Sequence, residues 1–234
     1  MHKIEIAENV LKRVMTRRGH VHMFEQIQPA QTAHVVVDLQ NGFMAPGQPT
    51  EIPAAREIVP NVNRLSTALR TSGGTNIFIQ HTMGAQARTA WSNRYRYYMA
   101  PEWGDRLDKV FEPGSEGHAL WPGLDVQPQD LKVRKFRFGA FVPGSSDLHA
   151  ILQERRIDTL IVTGTATNVC CESTARDAMM MNYKVIFVSD GTATHSDAEH
   201  NAALANMVTN FADVMTADEV LACIAGSAAT GKGR

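Results

Sequence analysis

Residues 157–164, IDTLIVTG, followed at 168–183 by NVCCESTARDAMMMNY, are the stretch from which the fold can be read. The first segment is short, rich in β-branched residues and closed by Gly164, the pattern of a buried strand. The second reads as a helix with Cys170 in its first turn. A thiol placed there faces unpaired backbone N–H groups and the positive end of the helix dipole, which favour its thiolate. Strand, tight turn and nucleophile at a helix start make a nucleophile elbow. Taken alone, Cys170 also fits a small buried core residue, the usual fate of a free cysteine.

Working outward, residues 33–38 (AHVVVD) form a second buried-strand run ending at Asp38 and followed by the turn-like LQNGF. A third strand near 130–134 (DLKVR) ends at Lys135, ahead of FRFGAF. An acid, a lysine and a cysteine thus each fall at or just past the carboxyl end of a strand. In open α/β sheets that edge holds ligands, above all where the strand order reverses. Further strands are read at 75–81, 184–189 and 211–216, with helices near 53–70, 145–155, 169–182 and 196–209 between them. Continuous apolar strands alternating with helices call for a parallel sheet covered on both faces. A short amphipathic helix is expected over 3–15, with Ala7, Val10, Leu11 and Val14 on one side.

The exception to this rhythm is 83–129, which carries all three tryptophans (Trp91, Trp103, Trp121) and three of the four tyrosines. So long a connection is either a wall or lid of the site or a subunit interface. If it walls the site, Trp91 and Asn93 are its expected contacts, matched from the first loop by Asn41 and Phe43. An aromatic wall beside a side-chain amide suits a flat, polar group.

Composition narrows the function classes. The 234 residues carry 23 Lys and Arg against 24 Asp and Glu, a formal net charge of −1, so no basic stripe points to nucleic acid. No apolar run reaches the roughly 18 residues of a membrane helix, and the N-terminal stretch lacks an apolar signal core. Three cysteines, two of them adjacent, make no disulfide framework, and a cytoplasmic setting is expected. Adjacent helical residues point about 100° apart, so Cys171 cannot share the pocket of Cys170 and is read as packing, as is Cys223. The nine histidines show no metal-ligand spacing. His81 either lines the pocket or is a hydrogen-bonded structural histidine. Residues 226–233 (GSAATGKG) imitate a phosphate loop but lack Ser or Thr after Lys232, and are read as a frayed tail.

The blocks DLQNGF, KFRFGAF and TGTATNVCCESTARDA together resemble the three signature blocks of the isochorismatase-like cysteine hydrolases, most closely the ureidoacrylate and carbamoyl-amide amidohydrolases. The resemblance runs from about residue 30 to 218. It implies a three-layer Rossmann-like α/β fold around a six-stranded, mainly parallel sheet. The whole chain, 1–234, would be one hydrolase domain with an N-terminal helical extension (1–25) and the aromatic insertion (83–129). It further implies a catalytic triad of Asp38, Lys135 and Cys170, an oxyanion hole from the backbone N–H groups of Ala166 and Cys170, and a cis peptide between Thr165 and Ala166. Expected with it are a small amide or ureido substrate, no cofactor, no metal, no nucleic-acid or membrane partner, and a homo-oligomer. The nicotinamidase branch places metal ligands soon after its first block; here that region reads GFMAPGQPTEIPAAREI, without histidine. Other readings on the same fold are an isochorismatase-type vinyl-ether hydrolase, which in the family lacks the cysteine, and a non-catalytic binding protein or redox sensor.

Overall fold

The central strands are apolar along both sides because both faces of the sheet are covered there, as the computed structural model shows. It describes residues 1–230, with the side chains of 228–230 set aside. In chain order the elements are α1 (Glu8–Arg18), β1 (Thr32–Val37), the single turn α2 (Asn41–Met44), α3 (Val59–Thr71) and β2 (Thr75–His81). Three short helices follow, α4 (Ala85–Ala90), α5 (Ser92–Tyr97) and α6 (Pro101–Phe111), and then β3 (Leu131–Lys135). The second half continues through α7 (Leu148–Glu154), β4 (Thr159–Thr165), α8 (Glu172–Met180), β5 (Lys184–Ala193), α9 (Asp197–Asn206), β6 (Asp213–Met215) and α10 (Ala217–Thr230).

The six strands lie in the order β3-β2-β1-β4-β5-β6, every pairing parallel. The chain therefore runs outward from β1 through β2 to β3, then returns to lay β4 on the other side of β1. The order reverses between β1 and β4, the place where a parallel sheet opens a crevice at its carboxyl edge.

Alternation along each strand sends neighbours to opposite layers. Ala33, Val35 and Val37 of β1, with Leu160 and Val162 of β4, pack beneath α7, α8, α9 and Val14 of α1. On the other face Ile161, Ile186 and Val188 meet Leu65 and Leu69 of α3 and Val220 and Ile224 of α10. Each such Val, Leu or Ile contributes about 1.5–3 kcal/mol on burial, so the central strands are anchored from both sides, whereas the edge strand β3 (LKVRK) buries Val133 and leaves Lys132 and Arg134 exposed.

The expected strands are all present, and the differences lie at their ends. The N-terminal helix begins at Glu8 rather than near residue 3. The preceding residues bond α9 instead: the Glu5 N–H donates to Asn201 Oδ1 at 2.8 Å, and the Lys3 carbonyl accepts from Asn201 Nδ2 at 2.8 Å. Residues 83–129 hold three helices rather than an open loop. Residues 226–230, expected to fray, continue α10, whereas Lys232 lies outside the described residues. Among the described residues no helix is long and apolar enough to cross a membrane.

Buried histidines make the fold acid-sensitive. His34, in the middle of β1, bridges Ser66 Oγ (3.1 Å) and Thr163 Oγ1 (2.8 Å), and burial lowers its pKa to about 3; burial likewise lowers His200 to about 4. The unfolded chain binds these protons near pH 6.5 and the folded one does not, so stability is complete above that pH and lost as pH falls toward 3. The unfolding free energy from denaturant titrations should fall between neutral pH and about pH 4, by up to ~1.4 kcal/mol per pH unit per histidine. His34→Gln should flatten that slope; an unchanged slope would show that other groups set it.

Candidate active site

Four neighbouring strands end in a row at the reversal. β1 is followed by Asp38, β2 ends at His81, β3 ends at Lys135, and β4 leads through a cis Thr165–Ala166 bond into the turn that carries Cys170. Two local features set this edge. Asp38 itself adopts φ 55°, a left-handed conformation that Asp tolerates better than most residues, which turns the chain sharply off the sheet. Gly164 has φ 118° and lies against β1 so closely that a Cβ would sit on the Val37 carbonyl oxygen. Only glycine lets the two strands approach there.

Asp38 and Lys135 are fully buried and Cys170 is 5% exposed. Lys135 reaches past β2 to place Nζ 2.6 Å from Asp38 Oδ2, 3.1 Å from the Arg137 carbonyl and 3.5 Å from His81 Nδ1. Neither Asp38 oxygen has a hydrogen bond of good angular geometry among the described residues, so the contact is an ion pair rather than a linear hydrogen bond. The Cys170 thiol completes the group within reach of the carboxylate.

The electrostatics differ from the simple expectation for a helix-start cysteine. Residues Thr167–Cys171 form one π-helical turn, and α8 begins only at Glu172. Burial then outweighs the helix end and the Lys135 charge, and the thiol is pushed up to about 12. Cys170 is therefore a neutral thiol at rest. Burial also raises Asp38 despite its lysine, leaving it a stronger base than an ordinary carboxylate. Burial alone would lower Lys135, but Asp38 and then Cys170 outweigh it and hold the ammonium charged. His81 is kept neutral, first by burial and then by the Lys135 charge.

A cavity of about 300 Å³ opens onto the sulfur. Its walls are largely apolar and come from the first loop (Phe43, Ile52), from α6 (Trp103, Leu107, Phe111) and from Phe138 after β3. Of the residues read from sequence, Cys170, Ala166 and Phe43 line it, and Asp38 and Lys135 lie behind Cys170. Asn41, Trp91 and Asn93 are not in the lining. Asn41 instead bonds the 116–119 segment, its N–H to the Ala119 carbonyl at 2.9 Å and its Nδ2 to the Glu116 carbonyl at 3.0 Å. Trp91 stands edge-on to Phe138 (4.9 Å between centroids), and Asn93 is exposed on α5. His81 does both things considered for it: it lines the cavity and contacts Lys135. Cys171 is fully buried and Cys223 partly so, both packed away from the site.

Several contributors escape a reading of the sequence. Buried Gln40 clamps the ends of β1 and β2: its Oε1 accepts from the His81 N–H at 2.7 Å, and its Nε2 donates to the His81 and His118 carbonyls. Its place inside DLQNGF was the available signal. Arg94, Trp103 and His195 reach the cavity only through the folding of the insertion and of the loop after β5. The described residues contain no group of three or more His, Cys, Asp or Glu able to hold a metal ion.

Comparison with known proteins agrees with this architecture. Residues 32–219 match the model of the isochorismatase domain. The chain is similar to an isochorismatase family protein, YwoC, of Bacillus subtilis, with 33% identity covering 82% of this chain and 93% of that protein. It is also similar to the ureidoacrylate amidohydrolase RutB of Yersinia enterocolitica, with 31% identity over 84% of this chain and 90% of the relative. Among solved structures, a cysteine hydrolase from Pseudomonas syringae pv. phaseolicola superposes with a TM-score of 0.75 at 27% identity, covering 88% of this chain and 97% of the other.

Proposed function

The chain belongs to the isochorismatase domain family of hydrolases, and from that premise we propose that it is a cysteine-dependent amidohydrolase. Its reaction is cleavage of a C–N bond in a small ureido, carbamoyl or amide compound through a covalent acyl-enzyme. The observation that carries this reading is the Asp38–Lys135–Cys170 cluster at the strand reversal, with Cys170 opening onto a cavity. That the relative from Yersinia is a ureidoacrylate amidohydrolase supports an amide rather than an ether bond.

A neutral thiol beside a strengthened carboxylate calls for proton transfer together with attack. Asp38 takes the Cys170 proton as the sulfur bonds to the carbonyl carbon, and the carbonyl electrons move to oxygen. The backbone N–H groups of Ala166 and Cys170 receive that oxyanion; one such donor is worth roughly 2.7–4 kcal/mol. Collapse breaks the C–N bond, and Asp38 returns its proton to the leaving nitrogen. Water then attacks the thioester, or the thiocarbamate of a urea, with Asp38 again taking the proton, and the thiol is restored. The Lys135 ammonium holds Asp38 ionised between these steps and lies close to the sulfur as it gains charge.

Ammonia release from a panel of ureido, carbamoyl and simple amide compounds tests the reading. Turnover should be detectable with some members and unchanged after dialysis against a chelator, because the thiol supplies the nucleophile. No ammonia from any of them, or activity that needs an added divalent ion, would refute it.

A further inference from the structure

The insertion delivers a single cation to the cavity, and its setting is unusual. Arg94, on α5, lines the cavity together with Cys170. Its guanidinium packs against two rings that stand edge-on to each other, 4.6 Å from the centroid of Trp91 and 4.7 Å from that of Phe138. Stacking fixes the plane of the group but uses none of its N–H bonds. Among the described residues no acid lies within ion-pair distance of Arg94, and its buried Nη1 has no hydrogen-bond partner. Asp108, on the neighbouring α6, is already engaged by the Tyr95 hydroxyl at 2.7 Å, by the Gly84 N–H at 3.0 Å and by Arg88. Arg88 also pairs with Asp105 at 2.5 Å. Arg88 is thus doubly neutralised, whereas Arg94, the arginine of the insertion that lines the cavity, has no acid partner among the described residues.

Arg94 is partly buried, and a buried donor such as its Nη1 is costly to leave unpaired unless something outside the chain completes it. The fork of donors matches a planar carboxylate in two parallel hydrogen bonds. The largely apolar walls between Arg94 and Cys170 leave room for a short hydrocarbon or conjugated link, and no acid among the described residues lines the cavity. Building on the amidohydrolase reading, we infer that Arg94 is the specificity-determining residue of this site, binding a carboxylate at the far end of the substrate from the scissile carbonyl. The substrate class is then a small amido- or ureido-carboxylic acid, and Trp91 serves as the platform that holds Arg94 in place. Burial lowers the pKa of Arg94 only from the arginine range, so the group remains a cation.

The test uses ω-ureido carboxylates with one to four methylene groups, each paired with the neutral alcohol in which CH2OH replaces the carboxylate. Binding is measured by titration calorimetry on the Cys170→Ser protein, and turnover by ammonia release from the wild type. At least one acid should be favoured over its alcohol by about 10- to 100-fold in Kd and in kcat/KM. Arg94→Gln should abolish that preference while leaving the alcohol within about threefold, and Arg94→Lys should regain part of it. Because the wild-type preference is read without any substitution, a poorly folded variant does not blunt the test. The inference is overturned if the wild-type site does not distinguish acid from alcohol, if no acid binds at all, or if Arg94→Gln weakens acid and alcohol alike. Acid-selective binding without ammonia release would instead sink the amidohydrolase reading and leave the carboxylate site standing.

Discussion

Cys170→Ser should abolish turnover, lowering kcat by on the order of 10⁴- to 10⁶-fold, the range seen when a nucleophile is removed from a group that works as a unit. The substitution exchanges one buried hydroxyl-sized group for another, and Asp38 remains within reach to accept its hydrogen bond, so folding and ligand binding should persist. The serine hydroxyl is a far weaker acid than a thiol, and the Asp38 that must deprotonate it is unchanged. Cys171→Ser serves as the matched control. That side chain is fully buried with its sulfur 3.8 Å from the Thr163 carbonyl, facing away from the cavity. It should cost about 1–3 kcal/mol of stability from placing a hydroxyl in the core and leave most of the activity. Ammonia release by both variants, with a denaturant midpoint for each, decides the matter; the reverse pattern would assign the nucleophile to Cys171.

The second large effect comes from the ion pair behind the thiol. Lys135→Met leaves the Asp38 carboxylate buried and uncompensated, and Asp38→Asn does the same to the ammonium. Each should cost about 3–5 kcal/mol of stability, the usual consequence of stranding a buried charge. Activity should fall by orders of magnitude in each case, since without Lys135 the carboxylate binds a proton before it can take one from Cys170. The double variant removes both charges, so its stability loss should be well below the sum of the two. Its rate should lie near that of the slower single variant rather than at the product of the two losses. Urea unfolding and ammonia release on all three proteins provide the cycle. Additive losses in both would show that Asp38 and Lys135 act independently.

Much of this site was legible before any coordinates. Asp38 directly follows a run of β-branched residues, Lys135 ends a short strand and Cys170 follows the turn after one, and a polarity switch at the end of a strand is a one-dimensional signal. The same holds for the sheet: Val35–Val37, Leu160–Val162 and Val185–Val188 are apolar without alternation because both faces are covered. Strand ends were less legible. The start of α1 depends on Asn201, nearly two hundred residues away, bonding the backbone of residues 3 and 5.

The thiol shows where a local rule yields to its surroundings. A cysteine just after a strand carries a favourable helix end in any sequence, but whether that favours the thiolate depends on how much water remains around the sulfur. Burial beneath the insertion removes that water and reverses the direction. The insertion itself was the least legible part. Its aromatic content marked it as a wall or an interface, yet Trp91 and Trp103 are chemically alike, and only the packing of α5 against α6 puts Trp103 in the cavity and Trp91 behind Arg94. The exposed Tyr97 and Tyr98 fall on the outside of the same helix pair.

What the sequence alone determined about this protein is therefore the kind and order of its strands and the placing of Asp38, Lys135 and Cys170 at or just past their ends, because hydrophobic period and strand-end polarity are written locally along the chain. The protonation state of the thiol, the unpaired arginine and the shape of the cavity were decided only by the tertiary structure. Each depends on desolvation and on distances between residues far apart in sequence, and neither quantity exists until the chain has folded.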